Sequence, residues 1–336
     1  MVDRIVSGAP HCDLGTMTNQ ALLARPTTSV RWHRPLILLT GIMTVLALVS
    51  LVGLVVDGRS VNGSPTWLKP LKFAVSFAMY GATLAWMLRF VRRGRWVAWW
   101  SAAVAAVATA AEVGVIVSQA ARGRASHFNV ATSYDTAAYD LMGQLALVIW
   151  LSTFVVAVVV SVQSHVDRAA IWAMRFGLFV SLAGMLVGVM MAQPTAEQQH
   201  IADTGGVLTV SGAHAVGVPD DGPSMPLTGW AATGGDLRVA HFVGIHALQA
   251  LPLLAWLLMM LARRYPRLVP SAARIRMITV GAIGYGGLVA LLVWQALRGQ
   301  ALLQPDGRTL LAAVGLTAVV GFGAAAAVYR PTVPAP

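Results

Sequence analysis

Residues 141–163 read LMGQLALVIWLSTFVVAVVVSVQ, 23 residues without one charged side chain. About 20 apolar residues in a helix span the hydrocarbon core of a bilayer. Lipid offers no partner to a free backbone N–H or C=O, so a run of this kind crosses as a helix. Outward from it the pattern recurs. Runs of the same character cover residues 35–56, 67–91 and 96–119 before it, and 171–193, 239–262, 277–297 and 310–329 after it. The expectation is an all-α polytopic membrane helix bundle with about eight transmembrane helices, spans 1 to 8.

Composition agrees. The chain is 57% hydrophobic and 11% charged, against roughly 25% charged in a soluble domain. The net charge of +11 sits in short segments beside apolar runs, where it orients helices. No basic stripe interleaved with aromatics occurs, so nucleic acid is not an expected partner. The lipid bilayer is. Cys12 is the single cysteine, which excludes an intrachain disulfide and any CxxC motif.

Residues 1–34 are polar and carry Arg4, Arg25, Arg31 and Arg34. The run behind them is too long for a signal-peptide core, so they read as a retained cytoplasmic N-terminal segment, partly disordered. The tail 331–336, PTVPAP, reads as disordered. With both ends cytoplasmic, the outer segments hold eight of the 24 Lys and Arg: Arg59, Lys69, Lys72, Arg122, Arg124, Arg238, Arg298 and Arg308. The inner segments hold the other 16, as expected for a cell-membrane protein in this orientation. The longest outer loop, 194–238, carries Asp203, Asp220, Asp221 and Asp236. Its stretch 206–218, GVLTVSGAHAVGV, is expected to form a small hairpin.

Two patterns recur four spans apart. Gln119-Ala-Ala-Arg122-Gly123 ends span 3, and Gln295-Ala-Leu-Arg298-Gly299 ends span 7. Leu68-Lys69-Pro-Leu-Lys72-Phe73 opens span 2, and Leu237-Arg238-Val-Ala-His241-Phe242 opens span 6. Order and offset agree, so a 4+4 parallel internal repeat is a possible organisation, with halves 35–163 and 164–330 about a pseudo-two-fold along the membrane normal. Chance similarity between short Ala- and Leu-rich stretches is the alternative.

Ionisable groups inside a span are costly and default to functional candidates. Glu112 is the acidic residue well inside a span, and Gln119 lies two turns on along the same face. His246 falls at a similar depth on span 6, on the order of 10 Å below the outer interface, with Gln249 on its face. Asp140 and Gln144 share a face of span 4, and Gln295 and Arg298 a face of span 7. The expected site therefore lies in the outer half, among spans 2, 3, 4, 6 and 7. Interhelical hydrogen bonds of about 0.6 kcal/mol each are the structural alternative.

His241 and His246 stand five apart, roughly 140° around a straight helix, so they do not chelate one ion from one face. His241 is expected at the interface beside Arg238. His246 is the intramembrane ligand candidate, and His127, in Ala125-Ser126-His127-Phe128-Asn129, is placed to fold back over it. The pair His127 and His246 would hold a metal ion or haem, and Met190 and Met191 would add soft ligands for copper. Lys69, Lys72, Arg122, Arg124, Arg238 and Arg298 ring the outer end and would attract an anion, or reach for lipid phosphates.

The segments WLKPLKF (67–73), QAARGRASHFN (119–129) and GGDLRVAHFVGIHALQALP (234–252) resemble a group of uncharacterised bacterial multi-pass membrane proteins. The resemblance implies membrane residence and no particular activity. Three functions remain open: a metal- or haem-binding redox protein, a transporter or receptor for a small solute (an anion among the candidates), and an intramembrane metal-dependent hydrolase.

Overall fold

A computed structural model describes residues 32–164 and 167–329. Arg4, Cys12, Arg25, Arg31, Arg330 and the 331–336 tail lie outside the described residues, as do the expectations attached to them. From His33 onward the chain is one unit. Among the described residues seven helices are long and apolar enough to cross a membrane, and one bent pair makes an eighth when it is counted as one span. The protein is an all-α, multi-pass membrane protein.

Spans 1 to 5 are α1 (Arg34–Val56), α2 (Leu68–Leu88), α3 (Arg95–Ala121), α4 (Ser133–Ser161) and α5 (Arg168–Met191). A short helix α6 (Ala196–Asp203) follows in the long loop. Span 6 is α7 (Leu237–Ile245) plus α8 (Ala247–Ala262), and spans 7 and 8 are α9 (Ser271–Leu297) and α10 (Gly307–Tyr329). Large apolar side chains such as Leu38, Val107, Leu311 and Phe322 face outward, a surface that only lipid accepts over this area.

Span 4 begins eight residues before its expected start at Leu141. Hydropathy marks the edge of the lipid, whereas the helix is set by its cap: Thr132 Oγ1 accepts from Asp135 N–H, 3.1 Å. At ~1.5 Å per residue α4 stands well clear of a ~30 Å hydrocarbon core.

The long loops gather at one end of the bundle. There β1 (Ser60–Val61) and β2 (Ser64–Pro65) form a hairpin. Its turn residues Asn62 and Gly63 have φ of 50° and 71°, the mirror-image turn that matches strand twist. The hairpin expected within 206–218 does not form. Val210 instead bridges to Asn129, and β3 (Ala215–Val216) pairs with β4 (Gly235–Asp236). The partner of the 215–216 segment lies 20 residues on, beyond the reach of a local turn reading.

Span 6 bends by 46° between α7 and α8. Pro252 deprives the following turn of one N–H. The remaining cause is close packing. Span 5 presents Gly177, Ser181, Gly184 and Gly188, spaced four, three and four apart on one face, to span 6. A Cβ at Gly184 would stand 2.5 Å from the Gly244 backbone. Side chains take the carbonyls the bend frees: Ser181 Oγ donates to Ile245 O at 3.0 Å and Tyr285 Oη to Val243 O at 2.7 Å.

The principal apolar core fills the short-loop half. Leu36, Leu84, Met87, Val156, Met174 and Leu178 are almost completely buried there. The two halves pack alike. Spans 1–2, 3–4, 2–3 and 1–3 are in contact, and so are spans 5–6, 7–8, 6–7 and 5–7. The halves meet through spans 4 and 5 and through spans 2 and 6.

Candidate functional site

With the core packed into one half, the long-loop half is hollow. A cavity of about 1970 Å³ opens there, larger than the ~300–1,000 Å³ of ordinary ligand pockets. Spans 2 and 6 share six register positions in its wall. On span 2 these are Lys69, Lys72, Phe73, Ser76, Phe77 and Tyr80. On span 6 they are Arg238, His241, Phe242, Ile245, His246 and Gln249, each 169 residues later. The recurring pattern L-[K/R]-x-x-[K/H]-F is thus the beginning of two matching cavity walls.

Span 3 adds Glu112 and Ile116, and span 4 adds Asp140, Gln144 and Trp150. Span 5, rather than the expected span 7, completes the wall with Ser181, Met185 and Met191. The floor holds Tyr80 Oη against Thr153 Oγ1, 2.8 Å apart. The loops supply the roof: His127, Arg124, His214 and Asp220.

The structure therefore brings Glu112, His127, Asp140, Gln144, Arg238, His241, His246, Gln249, Lys69, Lys72 and Arg124 onto one cavity. It places Gln119, Arg122, Gln295 and Arg298 elsewhere, in two equivalent helix ends. Gln119 Nε2 donates to Ala125 O, and Gln295 Nε2 to Ala301 O, six residues on in each case. Gly123 and Gly299 turn the chain with φ of 65° and 68°. Arg122 then pairs with Asp135, and Arg298 with Asp306, near the start of the next span. Q-A-x-R-G is a helix-ending device that couples consecutive spans.

His241 does not sit at the interface beside Arg238. It is directed inward at span 5, where Nδ1 meets Gly184 O at 2.9 Å. The estimate of 140° from His246 assumed a straight helix, and the chain bends at His246. Met190 is half exposed, and Met191 packs with Phe128 and Leu237.

The basic groups differ in how they are balanced. Arg238 is paired with Asp236 at its own helix start. Lys72 Nζ donates to Thr228 O, 2.9 Å. Lys69 has no carboxylate within 4 Å and no hydrogen bond among the described residues. The register mate of Asp236 is Trp67, so the counter-ion present in the second half is missing from the first.

Four imidazoles line the cavity, each with Nδ1 engaged. The partners are Ser126 Oγ for His127, Asp220 for His214, Gly184 O for His241 and Gln249 Oε1 for His246. No Nε2 of the four has a protein partner among the described residues. Burial holds His214 down to about 4, partly offset by the Asp220 hydrogen bond. Burial raises the Asp220 carboxyl, yet the His214 and Ala215 hydrogen bonds outweigh it and keep it at about 2. Burial, with Lys69 and the other histidines nearby, pushes His127 well below its ordinary value. These roof imidazoles are neutral at pH 7. Among the described residues no three His, Cys, Asp or Glu side chains converge to hold a metal ion.

Sequence reading missed His214, Asp220, Ser181 and Trp150. The aromatic face Phe73, Phe77 and Tyr80, at helical spacing with Lys69, was available as a signal. No protein-family model, curated protein or solved structure matches the chain.

Proposed function

We propose that the protein is a receptor or transporter that admits a small anionic solute to this cavity from the outer face of the cell membrane. The observation that carries the reading is Lys69, a partly buried ammonium on the cavity wall without a carboxylate partner. A buried charge left uncompensated costs several kcal/mol, and an entering anion removes that cost. Lys72 and Arg238 flank it and add to the field. The aromatic rings of Phe73, Phe77 and Phe242 give the same ligand an apolar wall.

We further propose that both chain ends are cytoplasmic, which follows from the 16 to 8 division of basic residues. The long-loop end is then outside. The solid apolar half below the cavity argues for a state closed toward the cytoplasm, as alternating access requires.

A second reading has one specific observation behind it. An imidazole whose Nδ1 is tied to an oxygen is the usual arrangement for ligation through Nε2, and His127 and His246 meet that description. In this reading His127 and His246 would be the two ligands of a haem or metal ion. The hydrolase reading needs three converging ligands and lacks them among the described residues.

The test is anion-dependent stabilisation of the purified full-length protein in detergent, wild type against Lys69→Met. Small carboxylates or phosphate should raise the unfolding midpoint of the wild type and not of the variant. If no anion raises it, the reading fails. An absorption spectrum before and after dithionite, with a Soret band that shifts, would favour haem instead.

A further inference from the structure

Glu112 has no role in the reading above. Its residue is 6% exposed and lines the cavity. It makes no hydrogen bond to any described residue, and no basic group lies within 4 Å. The charge that acts on it is Lys69, across the same space. Two opposite charges thus face one cavity, and neither is neutralised by contact.

Their heights differ. Glu112 lies nine residues below the end of α3 at Ala121, about 13 Å into the bundle. Lys69 is in the first turn of α2, at the long-loop end. On the same lining, His241 and His246 of span 6 have Nδ1 engaged and an Nε2 without a protein partner among the described residues. The cations Lys69, Lys72 and Arg238 sit in the first turns of spans 2 and 6, and Glu112 lies deeper.

We propose that the ligand is a zwitterion, with its anionic group at Lys69 and a primary ammonium held lower down by Glu112. The inference rests on the anion-binding reading and names the second pole of that ligand. Each pole removes one uncompensated charge, so a molecule carrying both is preferred over a molecule carrying either. The same chemistry is offered by a free amino acid and by an aminophospholipid headgroup of the outer leaflet.

The experiment uses the full-length protein in detergent and three matched series of two to six carbons: ω-amino acids, the corresponding carboxylic acids, and the corresponding amines. Affinity is read from tryptophan fluorescence and from the unfolding midpoint. At the best chain length the ω-amino acid should bind about tenfold or more tighter than both its single-charge analogues. Glu112→Gln should bring its affinity down to that of the matched carboxylate. A second arm compares nanodiscs with and without phosphatidylethanolamine in phosphatidylglycerol. Stabilisation by that lipid alone, lost in Glu112→Gln, supports the proposal and identifies the headgroup as the source.

Carboxylates that bind as tightly as the ω-amino acids, with no response to phosphatidylethanolamine, overturn the zwitterion and leave the anion reading standing. Binding by neither series, with no lipid effect, overturns both. A Lys69→Met, Glu112→Gln double variant more stable than either single variant in the absence of ligand also overturns the proposal. It would mean that the two charges simply compensate each other. The wild-type comparison needs no variant to fold.

Discussion

The bend in span 6 depends on two glycines touching, and Gly184→Ala tests that directly. The added Cβ would stand 2.5 Å from the Gly244 carbonyl carbon and 2.7 Å from Ile245 N. Both are backbone atoms, so no rotamer change relieves the clash and the helices must part. Overpacking of this kind costs about 1–3 kcal/mol. The gain from replacing a helical glycine, roughly 0.5–1 kcal/mol, offsets part of it. A net loss on the order of 1–2 kcal/mol is expected. Gly114→Ala is the control, because nothing lies within 4 Å of its Cβ position; it should keep the full helical gain. Denaturant unfolding in mixed micelles measures both. Separation of spans 5 and 6 also draws Gly184 O from His241 and Ser181 from Ile245 O, so anion affinity should fall in the Gly184 variant alone. If Gly184→Ala is as stable as Gly114→Ala and binds equally well, the close approach is not what shapes the cavity wall.

Three further outcomes are expected. Tyr285→Phe removes the hydroxyl that satisfies Val243 O at the bend; about 0.6 kcal/mol is lost, and amide exchange in residues 243–248 accelerates without change elsewhere. Gln119→Ala removes the buried amide that donates to Asp135 Oδ1 and Ala125 O, and Gln295→Ala the one that donates to Ala301 O and Leu302 O; each should cost about 1–2 kcal/mol in the same unfolding assay, and no loss in either variant would undo its role in closing the helix end. Acid should loosen the roof. The folded His214 lies near 4, below its ordinary 6.5, so the unfolded segment binds the proton first. Stability is full above about 6.5 and declines as pH falls toward 4. The Asp220 contribution follows, lost between its ordinary 3.8 and about 2. Exchange in residues 212–236, corrected for intrinsic rates, should therefore rise on acidification, and His214→Gln should flatten the part between 6.5 and 4.

The eight spans were legible because membrane crossing imposes one strong demand, a long run of apolar residues, and Leu, Val and Ala meet it without competition from other signals. Ends were less legible where caps decide them. Thr132 and Asp135 start α4 above the lipid, and Thr195 with Gln198 caps α6 in a T-x-x-Q box. The Asn62-Gly63 turn was written just as plainly in the sequence. The cavity was legible in outline, since Glu112, His127, His246 and Lys69 were each conspicuous as polar groups near apolar runs. What local reading could not give is the side chain's partner. Gln119 and Gln295 look as functional as Gln249, and only packing shows that the first two close helix ends.

Both copies of the L-[K/R]-x-x-[K/H]-F motif line the cavity. We propose that the two halves are true repeats, because matching sequence patterns coincide with matching helix contacts and matching Q-A-x-R-G turns. In such an arrangement spans 2 and 6 face each other near the pseudo-axis, and whatever one contributes the other contributes again. Lys69 then answers Arg238, Lys72 answers His241, and Phe77 answers His246. A symmetric pair of cations with symmetric counter-ions would be inert. On the proposed reading, the departure from symmetry, Trp67 where the other half has Asp236, leaves one charge unbalanced and turns a packing motif into an anion site. Trp67→Asp should supply the missing carboxylate to Lys69. Anion affinity should then fall by about tenfold or more, although no cation has been removed. Unchanged affinity in that variant would place the anion elsewhere in the cavity.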